Sequence, residues 1–234
     1  MNTIISQISD DFLSLFYPDL CLACQKNAPV KSQLLCVRCS FKLPQTRFHL
    51  HVENAFTDRF WGRFPLQAGA SLYRFTKGGG VQNLIHQLKY KGRKEVGFKT
   101  GRFYGQQLKE SLFFRELDMI VPVPLHPRKQ HQRGYNQSDM IAQGLAQGMQ
   151  IPWSDNVLLR KSFTETQTRK SRLERLENVS KAFATRNPSA IKGKHLLLVD
   201  DVITTGATLE TCALKILEVP DTRVSMVTLA FADV

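Results

Sequence analysis

One run, LLLVDDVITTGATL at residues 196–209, constrains this 234-residue chain more than any other stretch. An apolar strand, Leu196–Val199, meets two carboxylates, Asp200 and Asp201. A turn of small residues follows, Thr204-Thr205-Gly206-Ala207-Thr208, and opens straight into a helical pattern. In open α/β sheets, ligands collect where strands end at their carboxyl side. A helix N-terminus offers unpaired N–H groups and a positive dipole end, which suits a phosphate. Gly206 lets backbone approach closely, and the three threonines add hydroxyl donors. Two adjacent carboxylates can accept from vicinal sugar hydroxyls and help hold a hard cation such as Mg²⁺. Phosphate on one side and diol on the other describe a ribose 5-phosphate. Helix capping alone needs one such residue, not two acids and three threonines around a glycine. A Walker A loop is excluded, because no GxxxxGK[ST] occurs.

The surrounding pattern is α/β. Strands are expected at 68–75, 118–124, 157–160, 195–199 and 224–231. Helices are expected at 81–88, 98–117, 138–149 and 207–217, and residues 171–179 are left between helix and loop. Alternation of this kind indicates a mostly parallel sheet flanked by helices. Residues 41–65 resist assignment. The change in pattern near residue 65 divides an N-terminal module, 1–65, from a larger domain, 66–234. No apolar run approaches the roughly 20 residues of a membrane helix, so no membrane insertion is expected. The first 20 residues lack a positive start, and Asp10 and Asp11 interrupt their apolar spacing, so the reading is cytoplasmic.

Charge is concentrated. The net charge is +12, and segments 89–94, 128–133 and 160–175 carry 13 of the 32 basic residues against only Glu165 and Glu174. Such clustering implies an anionic partner, a polyphosphate or a nucleic acid. Aromatic residues are not interleaved through these segments apart from Tyr90 and Phe163, which weakens a stacking groove for single strands.

Four of the five cysteines, Cys21, Cys24, Cys36 and Cys39, form two CxxC pairs separated by 11 residues. Two such knuckles supply four thiolates for tetrahedral Zn²⁺, and four protein ligands make a structural site. A redox pair and buried unligated thiols are the competing readings. Cys212 falls on an apolar helix face and reads as core. Residues 45–65 contain no cysteine, and His49 with His51 cannot build a second metal site alone.

The run 196–209 resembles the phosphoribosyl-diphosphate (PRPP) signature of type I phosphoribosyltransferases. Together with VPVPLHP at 121–127, RGYNQS at 133–138, RKSFTETQ at 160–167 and RLENVSKAF at 175–183, it is similar to the ComF/GntX family of competence-associated proteins. The resemblance extends from about Cys21 to the C-terminus. It implies a type I phosphoribosyltransferase fold with a small N-terminal zinc ribbon. It assigns Asp200 and Asp201 to the ribose hydroxyls and Mg²⁺, and Thr204, Thr205, Gly206, Ala207 and Thr208 to the 5-phosphate. Leu125, His126, Pro127, Arg128 and Lys129 would form the diphosphate loop. Arg133, Gly134, Tyr135, Asn136 and Gln137 are the family motif. Gln167, Arg169 and Arg172 would lie on a flexible flap spanning 161–183 that closes over substrate. Lys89 and Lys91, at the end of the 81–91 segment, are candidates for pointing at the site.

Family membership implies a role in the uptake or use of exogenous DNA in natural transformation. Two activities fit. The chain could be an enzyme that transfers the phosphoribosyl group from Mg²⁺·PRPP to a nitrogen nucleophile. Alternatively, it could be a non-catalytic PRPP or nucleotide module that holds single-stranded DNA or docks a competence helicase or recombination mediator.

Overall fold

The computed structural model of the protein describes residues 20–30, 33–161 and 182–233. Its elements are helix α1 (Val37–Lys42), the one-turn α2 (Ala55–Asp58), strand β1 (Leu66–Phe75), helices α3 (Gly80–Tyr90) and α4 (Lys94–Glu110), and strand β2 (Met119–Pro122). Helices α5 (Pro127–Arg133) and α6 (Gln137–Met149) come next, then strands β3 (Leu158–Arg160), β4 (Phe183–Thr185) and β5 (His195–Ile203), helix α7 (Ala207–Leu217) and strand β6 (Arg223–Ala232).

The central sheet has four strands in the order β1-β6-β5-β2, and every neighbouring pair is parallel. Near-continuous apolar runs explain this: Leu196, Leu197, Leu198 and Val199 are fully buried, as are Val224, Met226 and Val227. Strands covered on both faces read that way. The crossover from β1 to β2 runs across the sheet in the opposite sense to that from β5 to β6. Right-handed connection therefore puts α3 and α4 on one face and α7 on the other.

Both sheet edges are covered, which removes a template for unwanted pairing. Beyond β1, the N–H of Thr46 bonds Leu72 O at 3.0 Å and that of Arg74 bonds Pro44 O at 2.8 Å. Beyond β2, Ile120 exchanges bonds of 2.9 Å with Pro152 and Ser154. Strands β3 and β4 form a separate antiparallel ribbon.

Helices α4 and α6 touch backbone to backbone. A Cβ placed on Gly101 would lie 2.4 Å from Ile141 O, and one on Gly144 would lie 2.1 Å from Phe98 O. The glycines at 97, 101 and 105 face those at 144 and 148, so α6 lies against α4 while its start reaches the end of β5.

Three expectations change. The helix expected at 98–117 begins at Lys94 and stops at Glu110, because Ser111 leaves helical conformation and its hydroxyl caps the 3₁₀ turn Leu112–Phe114. Helix α5 has no apolar periodicity and no buried residue, so only its punctuation signals it: His126 as N-cap, Pro127 in the first turn and left-handed Gly134 at the end. Strand β5 continues past Val199 to Ile203, so the two acids lie within it. Residues 1–19, the 171–179 segment and the flap residues Gln167, Arg169 and Arg172 fall outside the described residues.

Candidate functional site

The site forms where β5 loses one neighbour. Its pairing with β2 ends at Pro122 opposite Val199, closed by the Val123 N–H to Val199 O at 2.8 Å. Its pairing with β6 continues to Ile203. Asp200 and Asp201 therefore enter the sheet where one side has opened into a crevice, the usual ligand position in such sheets.

The two acids have different environments. Asp200 Oδ1 accepts from the Ser138 hydroxyl at 3.0 Å and from the Asp201 N–H at 2.8 Å. Burial, then the neighbouring Asp201 charge, pushes its carboxyl up to about 7, against the pull of the Asp201 N–H, Lys89 and Ser138. Asp201 is 8% exposed, and its Oδ1 lies 2.9 Å from Lys89 Nζ. Lys89 reaches it from the last turn of α3.

Beyond the acids, residues 200 and 202–209 line a polar recess of about 50 Å³. Gly206 caps α7 at φ 82°, a conformation that favours glycine. A Cβ there would also lie 2.8 Å from the Phe60 ring. Thr204, Thr205 and Thr208 are exposed; the hydroxyls of Thr204 and Thr208 make no hydrogen bond among the described residues. The Ala207 N–H, the first of α7, reaches Thr205 Oγ1 at 3.5 Å, while the hydroxyls of Thr204 and Thr208 wall the recess beside the next turn of N–H groups, an arrangement suited to an anion. Arg63 pairs with Glu210 at 2.8 Å, tying the segment after α2 to this helix.

The segment 133–137 is mainly a joint. Buried Tyr135 donates its hydroxyl to Leu88 O, beside Lys89. Asn136 caps α6 through the Ser138 N–H at 3.3 Å and donates to Val123 O at 3.1 Å. Arg133 bonds Gln137 Oε1 at 2.8 Å and lies 5.3 Å from the Tyr90 ring centre, and Lys94 lies 5.2 Å from that of Tyr135. Two of the basic segments, 89–94 and 128–133, therefore meet in space. Leu125 and His126 form a short connection, while Pro127, Arg128 and Lys129 are the exposed first turn of α5. His126 Nδ1 accepts the Arg128 N–H at 3.2 Å, a capping role.

The sulfurs of Cys21, Cys24, Cys36 and Cys39 all lie within 4.8 Å of one another. They are the one group of three or more metal-type ligands gathered among the described residues. Tetrahedral bonds of about 2.3 Å place sulfurs roughly 3.8 Å apart, and Cys24 and Cys36 are 3.9 Å apart. Gln25 takes φ 55° to turn the first knuckle, and the Asn27 and Lys26 N–H groups hold the Cys24 thiol down to about 6. A soft dication fits this donor set. His49 is buried with its ring edge-on to Tyr104, and Cys212 is core.

The phosphoribosyl transferase domain family matches residues 136–232. The DNA utilization protein YhgH of Escherichia coli (strain K12) is 32% identical over 208 residues, covering 86% of this chain and 85% of that one. This chain belongs to the ComF/YhgH family. Competence protein ComFC of Bacillus subtilis (strain 168) is 28% identical over 224 residues, 91% of this chain and 86% of that protein. Among solved structures, adenine phosphoribosyltransferase from Leishmania tarentolae is 13% identical over 64% of this chain and 74% of that one, with a TM-score of 0.38. The chain has an α/β phosphoribosyltransferase-like fold, a four-stranded parallel sheet flanked by helices.

For this ComF-family chain, sequence reasoning missed three contributors to the site. Phe60 and Arg63 lie in the segment that resisted assignment, and Ser138 looked like an ordinary helix start. Their signal is indirect. The Asn54/Thr57 capping box marks α2, and Ser138 directly follows the RGYNQ motif.

Proposed function

We propose that this protein binds Mg²⁺·PRPP at Asp200, Asp201 and the 204–208 turn, and that it transfers the phosphoribosyl group to a nitrogen nucleophile during the uptake or use of exogenous DNA. One observation carries the reading: the acid pair and the threonine-lined recess at the start of α7 adjoin on one crevice. That crevice sits at the carboxyl edge of a parallel sheet.

In this reading Asp200 and Asp201 accept from the ribose hydroxyls. The α7 N–H groups and the hydroxyls of Thr204, Thr205 and Thr208 grip the 5-phosphate. Exposed Arg128 and Lys129 face the diphosphate as it leaves. Bound Mg²⁺ would neutralise the diphosphate. Two carboxylates suit that ion, which often arrives on substrate phosphates with few protein ligands. The chain's contribution to rate is then position and electrostatics. The four cysteines hold a structural Zn²⁺.

A second reading is supported by the meeting of segments 89–94 and 128–133. Their pooled positive charge beside the crevice suits single-stranded DNA, with the sugar-phosphate pocket holding ligand without turnover. The test is diphosphate release from PRPP and Mg²⁺ with each nucleobase in turn. Release with one base supports the enzyme. No release with any base, together with DNA binding that weakens steeply with salt, supports the binding module.

A further inference from the structure

Two carboxylates on consecutive residues at the mouth of an anion site present a difficulty. A phosphate approaching Asp200 and Asp201 meets their repulsion, and low dielectric near the sheet strengthens it. A PRPP molecule brings Mg²⁺ on its diphosphate. A ribose 5-phosphate has no diphosphate and brings no such escort.

Lys89 answers this with a fixed cation. Its ammonium lies 2.9 Å from Asp201 Oδ1, and the two side chains are only 23% and 11% exposed. A lysine in the last turn of a helix is favourable against the dipole wherever it points. Here it turns into the crevice and pairs with the acid. The helix that carries it is held at both ends. Asn83 donates to Ala23 O of the first cysteine knuckle at 2.7 Å, and Tyr135 bonds Leu88 O next to Lys89 itself. A merely solvating lysine needs neither anchor.

We propose that Lys89 is the resident counter-ion of the acidic pair, so that the pocket holds a ribose 5-phosphate group, free or as a nucleoside 5′-monophosphate, without any divalent cation. Lys89 is thus a positioning residue: its ammonium, 2.9 Å from Asp201 Oδ1, holds that carboxylate in place and offsets its charge, leaving the remaining carboxylate oxygens to bind the diol. The inference rests on the PRPP reading and adds a ligand class to it. Mg²⁺ is then required for the diphosphate end of PRPP and not for the sugar-phosphate end.

The experiment is calorimetry of ribose 5-phosphate and of PRPP, each in EDTA and with excess Mg²⁺, on the full chain and on Lys89→Met and Lys89→Arg. Wild type should bind ribose 5-phosphate equally well in both buffers. Lys89→Met should lose about tenfold in EDTA, the size of one charge-assisted hydrogen bond, and regain most of it with Mg²⁺. Lys89→Arg should retain most of the affinity in EDTA. Should Lys89→Met not fold, Lys89→Gln carries the same comparison. The inference is overturned by Lys89→Met matching wild type in EDTA, by an equal loss in both buffers, or by wild type needing Mg²⁺ for ribose 5-phosphate. If wild type binds neither sugar phosphate in either buffer, the PRPP reading itself falls. If it binds PRPP but fails any of the Lys89 outcomes, only the inference does.

Discussion

Replacing Asp200 by Asn should stabilise the ligand-free protein while disabling its site. Burial and Asp201 hold the Asp200 carboxyl at about 7 in the fold, against 3.8 for the free group. Its folded value is raised, so the fold binds a proton that the unfolded chain has already released between those two pH values. Unfolding stability therefore falls as pH rises from about 4 to 7, and the full penalty persists above 7. At 1.36 kcal/mol for each pH unit, the gap sets a ceiling of roughly 4 kcal/mol. Asn keeps an Oδ1 for the Ser138 hydroxyl and the Asp201 N–H but carries no charge. The gain at pH 8 should be about 2–4 kcal/mol, or roughly 5–15 °C in Tm for a chain of this size. At pH 4 it should nearly vanish. Scanning calorimetry of both proteins at the two pH values, without sugar phosphate or divalent cation, measures this. An Asp200→Asn protein no more stable than wild type at pH 8, or a gap that does not widen with pH, would refute the reasoning. Binding sites commonly store instability of this kind.

Three further outcomes follow from the geometry. Gly144→Ala puts a methyl group 2.1 Å from Phe98 O and must force α4 and α6 apart, costing about 1–3 kcal/mol; a denaturant melt with an unchanged midpoint would contradict the packing. Gly206→Ala must adopt φ 82° and press on Phe60, so it should lose about 1–2 kcal/mol from the left-handed backbone alone and weaken PRPP binding measured by calorimetry; unaltered affinity would mean that the turn does not meet phosphate. Purified protein should contain one zinc per chain by elemental analysis, and Cys24→Ser should lose it; iron, or metal retained in Cys24→Ser, would contradict a four-thiolate zinc site.

What the sequence made legible is what is local and periodic. The run 196–209 carries its own geometry, because an apolar strand, two acids and a glycine turn are contiguous, and the strand and helix fall close to where periodicity places them. The CxxC pairs announce their cluster by spacing, and the sulfurs do converge. Elements whose logic is tertiary stayed hidden. Phe60 matters because its ring lies against Gly206, a contact across 146 residues that no local pattern encodes. Helix α5 has no buried face, so periodicity could not find it. Residues 133–137 read as a family signature, yet three of the five serve as capping and joining pieces between α3, β2 and α6. Lys89 was a candidate from its place at a helix end; that its ammonium meets Asp201 depends on how α3 packs.

The most direct measurement is calorimetric titration of Mg²⁺·PRPP into the full chain and into the Asp200→Asn/Asp201→Asn double variant. Saturable one-to-one binding by the native chain and its loss in the double variant, with Tm no lower than that of the native chain, is the outcome that a sugar-phosphate site on this crevice demands. Absence of heat with the native chain, or undiminished binding by the variant, would place the ligand elsewhere and end the account.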